Sequence, residues 1–201
     1  MKSYTIVVAT TNAGKIKEIY SILSAATNLD LQIKSLNDYV IEEPDEPHES
    51  FMQNAAHKAK YYSKITQLPT LSEDAGLCIE ALNGFPGVRT KEFTEECGGI
   101  QQAFKLIEDK LQPFSNKRAY FNCAAALYIP QQDVLITYEA RDYGVITFPP
   151  RGADGFGYDP VFIPEGFNNT MAELGLEIKN QISHRAKAIH GIAEQLTDFL
   201  K

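Results

Sequence analysis

Apolar positions along the chain switch between two periods. Residues 4–9, Tyr-Thr-Ile-Val-Val-Ala, are β-branched and apolar without alternation, which predicts a buried strand. A small polar turn, Thr10-Thr11-Asn12-Ala13-Gly14, follows. Ile16, Ile19, Tyr20 and Leu23 then recur at helical spacing and predict a helix over 15–25. Residues 30–36 read as a second strand. Residues 37–49 carry prolines and acids and read as a loop. Ser50 is placed to cap a helix whose stripe holds Phe51, Ala55, Lys58 and Tyr62. Residues 68–80 read as a strand interrupted by Glu73-Asp74-Ala75-Gly76, and Leu82-Asn83-Gly84 as a turn. An amphipathic helix is expected over 99–112. Residues 118–129 and 134–142 read as a hairpin closed by Pro130-Gln131-Gln132-Asp133. Residues 148–160, rich in Gly and Pro, predict irregular chain. A closing helix over 184–200 would face the core with Ile189, Ile192, Ala193, Leu196 and Phe199.

Strands and helices thus mix, with at least one hairpin, so the expected class is α/β with a mixed sheet. No repeat, linker or low-complexity tract divides the 201 residues, and one domain over 1–201 is expected. Such a chain can bury a core without disulfides or a structural metal. Its three cysteines, Cys78, Cys97 and Cys123, form no C-x-x-C pair, so they read as small buried hydrophobes in a reducing cytoplasm.

Charge narrows the partners. Lys plus Arg is 19 against 26 Asp plus Glu, a net charge of −7. A duplex-binding domain carries the opposite excess, so polymeric nucleic acid is not expected. A small anion, held by a few focused cations, is compatible with this balance. No apolar run approaches the roughly 18 residues of a membrane span, and the first residues lack the apolar stretch of a signal peptide. A cytoplasmic enzyme or binding protein is the expectation.

The candidate chemistry lies in separated segments. The turn from strand to helix at Thr10, Thr11, Asn12, Ala13, Gly14 and Lys15 offers small donors, a glycine and a cation at a helix start, which favours an anion. It is not a Walker A loop: position 9 is Ala, and Ile16 follows the lysine. The plain alternative is a chain bend capped by Asn12. Glu73 and Asp74 interrupt an apolar stretch, where carboxylates cost free energy unless they are paired or bind a metal. Strand alternation would send one toward a cleft and the other into the structure; the alternative is a solvated turn. Among Glu42, Glu43, Asp45, Glu46 and Glu49, one member could join Asp74 on Mg²⁺, which takes one or two carboxylates plus phosphate oxygens. Lys58 lies on an apolar stripe, with Asn54 one turn earlier. It is either a snorkelling lysine or a cation aimed into a cleft.

In Gly155-Phe156-Gly157-Tyr158-Asp159-Pro160, glycines flank an aromatic ring that could stack on a flat heterocycle. The alternative is a hydrophobic plug. Ser183 reads as an N-cap. His184, Arg185 and Lys187 follow it in a first helical turn, where cations oppose the helix dipole. An electron-rich ligand at that point ranks first as the reason, and orientation by distant acids second. Lys179 adds to the same patch. A polyphosphate bearing a flat base would use all these groups.

With these residues in hand, the chain resembles the inosine triphosphate pyrophosphatase family, the dITP/XTP diphosphatases, along nearly its whole length. Thr10-Thr11-Asn12-Ala13-Gly14-Lys15 is similar to the family's T-x-N-x-x-K phosphate loop. Glu46-Pro47-His48-Glu49-Ser50-Phe51 resembles its metal-binding segment, which puts that role on Glu46. Asn54 and Lys58 match polar positions of the next helix. Ser72-Glu73-Asp74-Ala75-Gly76-Leu77 resembles the D-D-S-G-L motif, which makes Asp74 the general base and a metal ligand and puts Ala75 beside the substrate. Phe156, Gly157, Tyr158 and Asp159 fall in the base-recognition loop. Thr170 to Leu174, Lys179, His184 and Arg185 repeat the C-terminal signature. Glu73 stands where Asp is usual, Ala75 where Ser is usual and His48 where Gly is common, and residues 86–93 match only in part.

The resemblance implies an elongated mixed β-sheet flanked by helices, two lobes with a central cleft, and a homodimer. It implies Mg²⁺-dependent hydrolysis of ITP, dITP or XTP to the monophosphate and pyrophosphate. Lys15, Lys58 and Lys179 would neutralise the phosphates and Phe156 would stack on the purine. His184, Arg185 and Asp159 would read the edge of the base. A nucleotide-binding sensor without efficient catalysis and a generic phosphatase are the rival readings.

Overall fold

A computed structural model describes residues 3–27, 30–46 and 49–199. Its strands are β1 (Ser3–Val8), β2 (Asp30–Ser35), β3 (Thr70–Ile79), β4 (Arg118–Ile129), β5 (Val134–Ile146) and β6 (Phe162–Pro164). Its helices are α1 (Ala13–Ala26), α2 (Phe51–Thr66), α3 (Thr90–Glu96), α4 (Ile100–Leu111), α5 (Met171–Ile182) and α6 (His184–Phe199). The strands form one sheet in the order β2-β1-β3-β4-β5-β6. β1 pairs in parallel with β2 and with β3, and β6 runs antiparallel to β5. The sheet is therefore mixed and the class α/β, as the pattern predicts.

Two compact units divide the contacts. One holds residues 1–74, 123–140 and 185–201; the other holds 75–122 and 141–184. In the first, Val7 and Ala9 pack with Leu36 and Tyr62. Ala55 and Ala59 of α2 meet Ala124 and Ala126 of β4. Such small side chains let a helix lie close to a strand, which brings the polar residues of α2 down to the level of the sheet. The second unit has a larger core. Leu77, Ile79, Phe93, Phe104, Ile107, Leu111, Phe121, Phe162 and Met171 are its main members.

Several elements depart from the predicted pattern. β3 is not interrupted: it runs unbroken through Glu73-Asp74-Ala75-Gly76, and every position except Ala75 is buried. The two charges do not break the strand because both find partners. α1 begins at Ala13, two residues early, since Asn12 caps it by accepting from the Lys15 amide at 3.1 Å. Ser50 does sit at the N-cap of α2, but its side chain makes no capping bond. α3, β6 and α5 have no counterpart in the predicted pattern. α5 opens on a reciprocal capping box between Thr170 and Glu173 and kinks at Gly175, whose φ of 77° and ψ of 169° are non-helical. In α6, Ile189, Ile192, Ala193 and Leu196 are buried, whereas Phe199 is 41% exposed and not a core residue. The cysteines are unpaired, with Cys78 and Cys123 buried. No helix among the described residues is long and apolar enough to cross a membrane.

Candidate functional site

The parallel register of β1 and β3 builds the first cluster. Val8 lies opposite Leu71, and the Ala9 amide donates to the Leu71 carbonyl at 2.8 Å. The start of α1 and the acidic pair of β3 are therefore carried to the same end of adjacent strands. At the turn, Thr10 Oγ1 accepts from the Asn12 amide at 3.1 Å. Thr11, Asn12 and Ala13 are exposed, Gly14 and Lys15 half-buried. The first turn of α1 contains no acidic side chain, so the positive end of its dipole is not neutralised from within.

Strand alternation separates Glu73 from Asp74. Glu73 Oε1 lies 2.6 Å from Lys15 Nζ. Arg185 donates to the same carboxylate from Nε at 3.2 Å and from Nη2 at 3.4 Å, and the Cys123 thiol donates to Oε2 at 3.3 Å. Arg185 also donates from Nη1 to Glu18 at 2.6 Å. Asp74 has other partners: Asn54 Nδ2 and Lys58 Nζ donate to it, each at 3.3 Å. Lys58 Nζ also lies 3.0 Å from Glu46. Asn54 and Lys58 reach Asp74 together because they are one turn apart on α2.

Charge balance explains the ionisation of the pair. Glu18 and Glu73 are matched by Lys15 and Arg185. Burial opposes the charged form of Glu73. The Arg185 guanidinium, followed by Lys15 and Lys58, outweighs it and holds the carboxyl well below the usual range. Burial likewise disfavours a charged Arg185, yet Glu73 and Glu18 raise its pKa. Glu46 and Asp74 both pair with Lys58. Burial pushes Asp74 up to about 7; Lys58 opposes this, while the charge and hydrogen bond of Glu46 reinforce it. Lys58 is raised, because Asp74 and Glu46 outweigh its desolvation. Burial and the nearby Glu73 carboxylate push the Cys123 thiol well up.

Glu46 and Asp74 are hard oxygen donors that already converge on one cation, the Lys58 ammonium, with an excess of negative charge. That donor set fits a divalent cation of the Mg²⁺ type, completed by phosphate oxygens. No group of three or more His, Cys, Asp or Glu able to hold a metal occurs among the described residues. Pro47 and His48, beside Glu46, lie outside the described residues.

The second unit contains its own cluster. Asp159 Oδ2 accepts from the Phe156 amide at 2.8 Å and from Lys179 Nζ at 2.6 Å. Lys179 Nζ lies 4.1 Å from the centroid of the half-buried Phe156 ring, a cation–π arrangement. Gly155, at φ 80°, is required here, since a Cβ would run into the Asp159 carboxylate. Gly157 is exposed. Tyr158 points into the core, its hydroxyl 2.8 Å from Thr94 Oγ1 and its ring edge-on to Phe104. His184 is buried and stacked on Phe121 with centroids 4.7 Å apart.

The sequence puts Lys179 with the phosphates; in the structure it is buried against Phe156 and Asp159. The sequence aims Arg185 at the purine edge; the guanidinium is 3% exposed and held by Glu18 and Glu73, so the distant acids ranked second are its observed partners. Lys58, Asn54, Glu46 and Asp74 come together through direct contacts in one unit, and Lys15 meets Glu73, the neighbour of Asp74. Half-buried Ala75 follows them in β3 as the first residue of the other unit. Glu18 and the Cys123 contact were missed. The face of α1 that is buried holds Glu18, Ile19, Ile22 and Leu23, while Tyr20, assigned to the apolar stripe, is 54% exposed. A charge on an apolar face was the signal that could have identified Glu18.

An α/β protein with a mixed six-stranded sheet and buried carboxylate–cation networks on its central strand is the class these features define. Within it, the chain belongs to the Ham1 family, whose sequence profile matches residues 6–195. It is 37% identical over 194 residues to a dITP/XTP pyrophosphatase of Nitrosomonas europaea, covering 96% of this chain and 94% of that one. It is 36% identical over 198 residues to a dITP/XTP pyrophosphatase of Bacillus cereus, covering 96% and 95%. A solved HAM1 protein from Coxiella burnetii superposes with a TM-score of 0.85 at 31% identity, over 97% of this chain and 99% of that one. The family resemblance carried by the motifs is borne out.

Proposed function

We propose that the protein is a pyrophosphohydrolase that cleaves ITP, dITP and XTP to the monophosphate and pyrophosphate and so clears them from the nucleotide pool. Relatives 34–38% identical over nearly the whole chain carry the name dITP/XTP pyrophosphatase. One observation carries the chemical reading: Glu46 and Asp74 converge on Lys58 within 3.3 Å, with the Lys15 and Glu73 pair anchored to the same strand.

Mg²⁺ held by Glu46 and Asp74 would supply charge neutralisation on the phosphate oxygens and a more acidic water. Asp74 orients the attacking water and accepts its proton at a carboxylate oxygen, with the Asn54 amide fixing the carboxylate plane. Water attacks the α-phosphorus, the bond to the α,β-bridging oxygen breaks, and pyrophosphate leaves. Lys15 and Lys58 stabilise the charge that grows on the phosphates, the larger electrostatic contribution. The exposed turn at Thr11, Asn12 and Ala13, with Gly14 after it, binds the same anion.

Phe156 stacks on the purine. Lys179, held by Asp159 at 2.6 Å, backs that ring and fixes its orientation. A 6-oxo group accepts a hydrogen bond where a 6-amino group donates, so a fixed donor discriminates against adenine by roughly 1–3 kcal/mol. A homodimer and a cytoplasmic location complete the reading.

A panel of nucleoside triphosphates with product analysis tests it. Release of pyrophosphate from dITP and XTP, with ATP a poor substrate, is expected. Orthophosphate release with ATP accepted equally would mark a generic phosphatase. Tight dITP binding without cleavage would mark a sensor. Asp74→Asn should abolish turnover.

A further inference from the structure

We infer that Glu73 is a positioning residue that holds Lys15, rather than a metal ligand, and so fixes where that lysine meets the phosphates. This inference rests on the functional reading above and deepens it.

Both Glu73 oxygens are engaged. Oε1 takes Lys15 at 2.6 Å and Arg185 Nη2 at 3.4 Å; Oε2 takes Arg185 Nε at 3.2 Å and the Cys123 thiol at 3.3 Å. These donors come from α1, α6 and β4, so one carboxylate ties three elements to β3. Coordination of a metal would have to displace cations from a side chain that is almost wholly buried.

The charge arrangement points the same way. Glu18, Glu73, Lys15 and Arg185 sum to zero. Glu46, Asp74 and Lys58 sum to −1 when both acids are ionised. A divalent cation is drawn to the second set and has little to gain from the first.

Lys15 is fixed at both ends. Asn12 accepts from its main-chain amide, and Glu73 holds its ammonium. An ammonium has three donors, and the Lys15 side chain keeps 26% exposure, so donors remain for a phosphate. Ordering a long side chain in advance removes that entropy loss from the binding step. A Glu at this position reaches one methylene further toward α1 than an Asp would.

A double-mutant cycle on dITP hydrolysis tests the inference. Glu73→Gln should raise KM about tenfold and change kcat less than about threefold, as for loss of one charge-assisted contact. The Mg²⁺ concentration for half activity should not move. In a Lys15→Met background the same substitution should change KM less than about twofold. A raised Mg²⁺ requirement, or an undiminished effect in the Lys15→Met background, overturns the inference. Should Glu73→Gln fail to fold, Glu73→Asp keeps the buried charge and withdraws the carboxylate about 1.5 Å. It should give a smaller KM rise that Lys15→Met again removes; independence of Lys15 overturns the inference. Calorimetric binding of inorganic tripolyphosphate with Mg²⁺, run on the same variants, reads the coupling without hydrolysis. A wild-type protein that releases no pyrophosphate from dITP then defeats the functional reading alone, while the tripolyphosphate cycle still decides the role of Glu73.

Discussion

Glu73 and Asp74 are adjacent in one buried strand, and their carboxyls are driven in opposite directions, Glu73 far below the usual range and Asp74 up to about 7. Burial raises Asp74, with Glu46 adding to it and Lys58 opposing it, whereas alternation turns Glu73 toward Arg185 and Lys15, which outweigh its burial. The two therefore contribute oppositely to stability.

An acid with a raised folded pKa binds its proton more tightly when folded. Without metal, Asp74 should make the protein lose stability as pH rises from about 4 to about 7. Glu73, with a depressed folded pKa, contributes stability above its ordinary value of 4.5 that is lost as pH falls below it. Urea titrations of metal-free protein should show the first slope, on the order of a few kcal/mol in total, vanish in Asp74→Asn while the acid-side loss persists. Persistence of the neutral-range slope in Asp74→Asn would show that another group carries it.

A divalent cation must displace the proton that Asp74 holds near neutrality. Mg²⁺ affinity should therefore rise with pH between 6 and 8, by up to about tenfold per unit below the pKa of about 7, with proton release. Calorimetry in buffers of different ionisation enthalpy measures the protons released. Burial is the main reason Asp74 is raised and Glu46 adds to it, so Glu46→Gln should weaken binding and reduce the pH dependence in part.

Phe156 is half-buried and backed by Lys179. Phe156→Ala should raise KM for dITP by roughly 5–150-fold, from the 1–3 kcal/mol of a stacked base. Phe156→Trp should retain most of the affinity. The ring is not a core member, so thermal unfolding of Phe156→Ala should move little. A large fall in Tm with unchanged KM would make the ring a structural plug.

The legible features of the fold were those set by local periodicity. β1, β4 and α4 could be read because their apolar spacing is regular over many residues. The acidic pair could be read as special because carboxylates in an apolar stretch demand partners. Which partners they take was not legible: Arg185 lies 112 residues from Glu73 and 167 from Glu18 in sequence. Only the folded chain shows that a first helical turn rich in cations is oriented by acids from two other elements. α5 was missed because Gly175 breaks its pattern, although Thr170 and Glu173 stand at capping-box spacing, a signal that was available. β6 has three residues, too few for any periodicity.

Arg185 joins α6 to α1 and β3 through two buried carboxylates, so its removal should be felt mainly in stability. Arg185→Met leaves Glu18 and Glu73 without their shared cation, and breaking one side of a buried pair costs roughly 3–5 kcal/mol. Loss of the Arg185 charge, the strongest influence holding Glu73 down, should raise the folded pKa of Glu73. The deficit should then be smaller at pH 5 than at pH 8, because a raised acid loses stability as pH rises. Adding Glu18→Gln removes one stranded charge and should recover part of the loss. Chemical denaturation of the single and double variants at both pH values measures this. A pH-independent deficit, unchanged by Glu18→Gln, would assign the loss to packing around the guanidinium instead of to its charge.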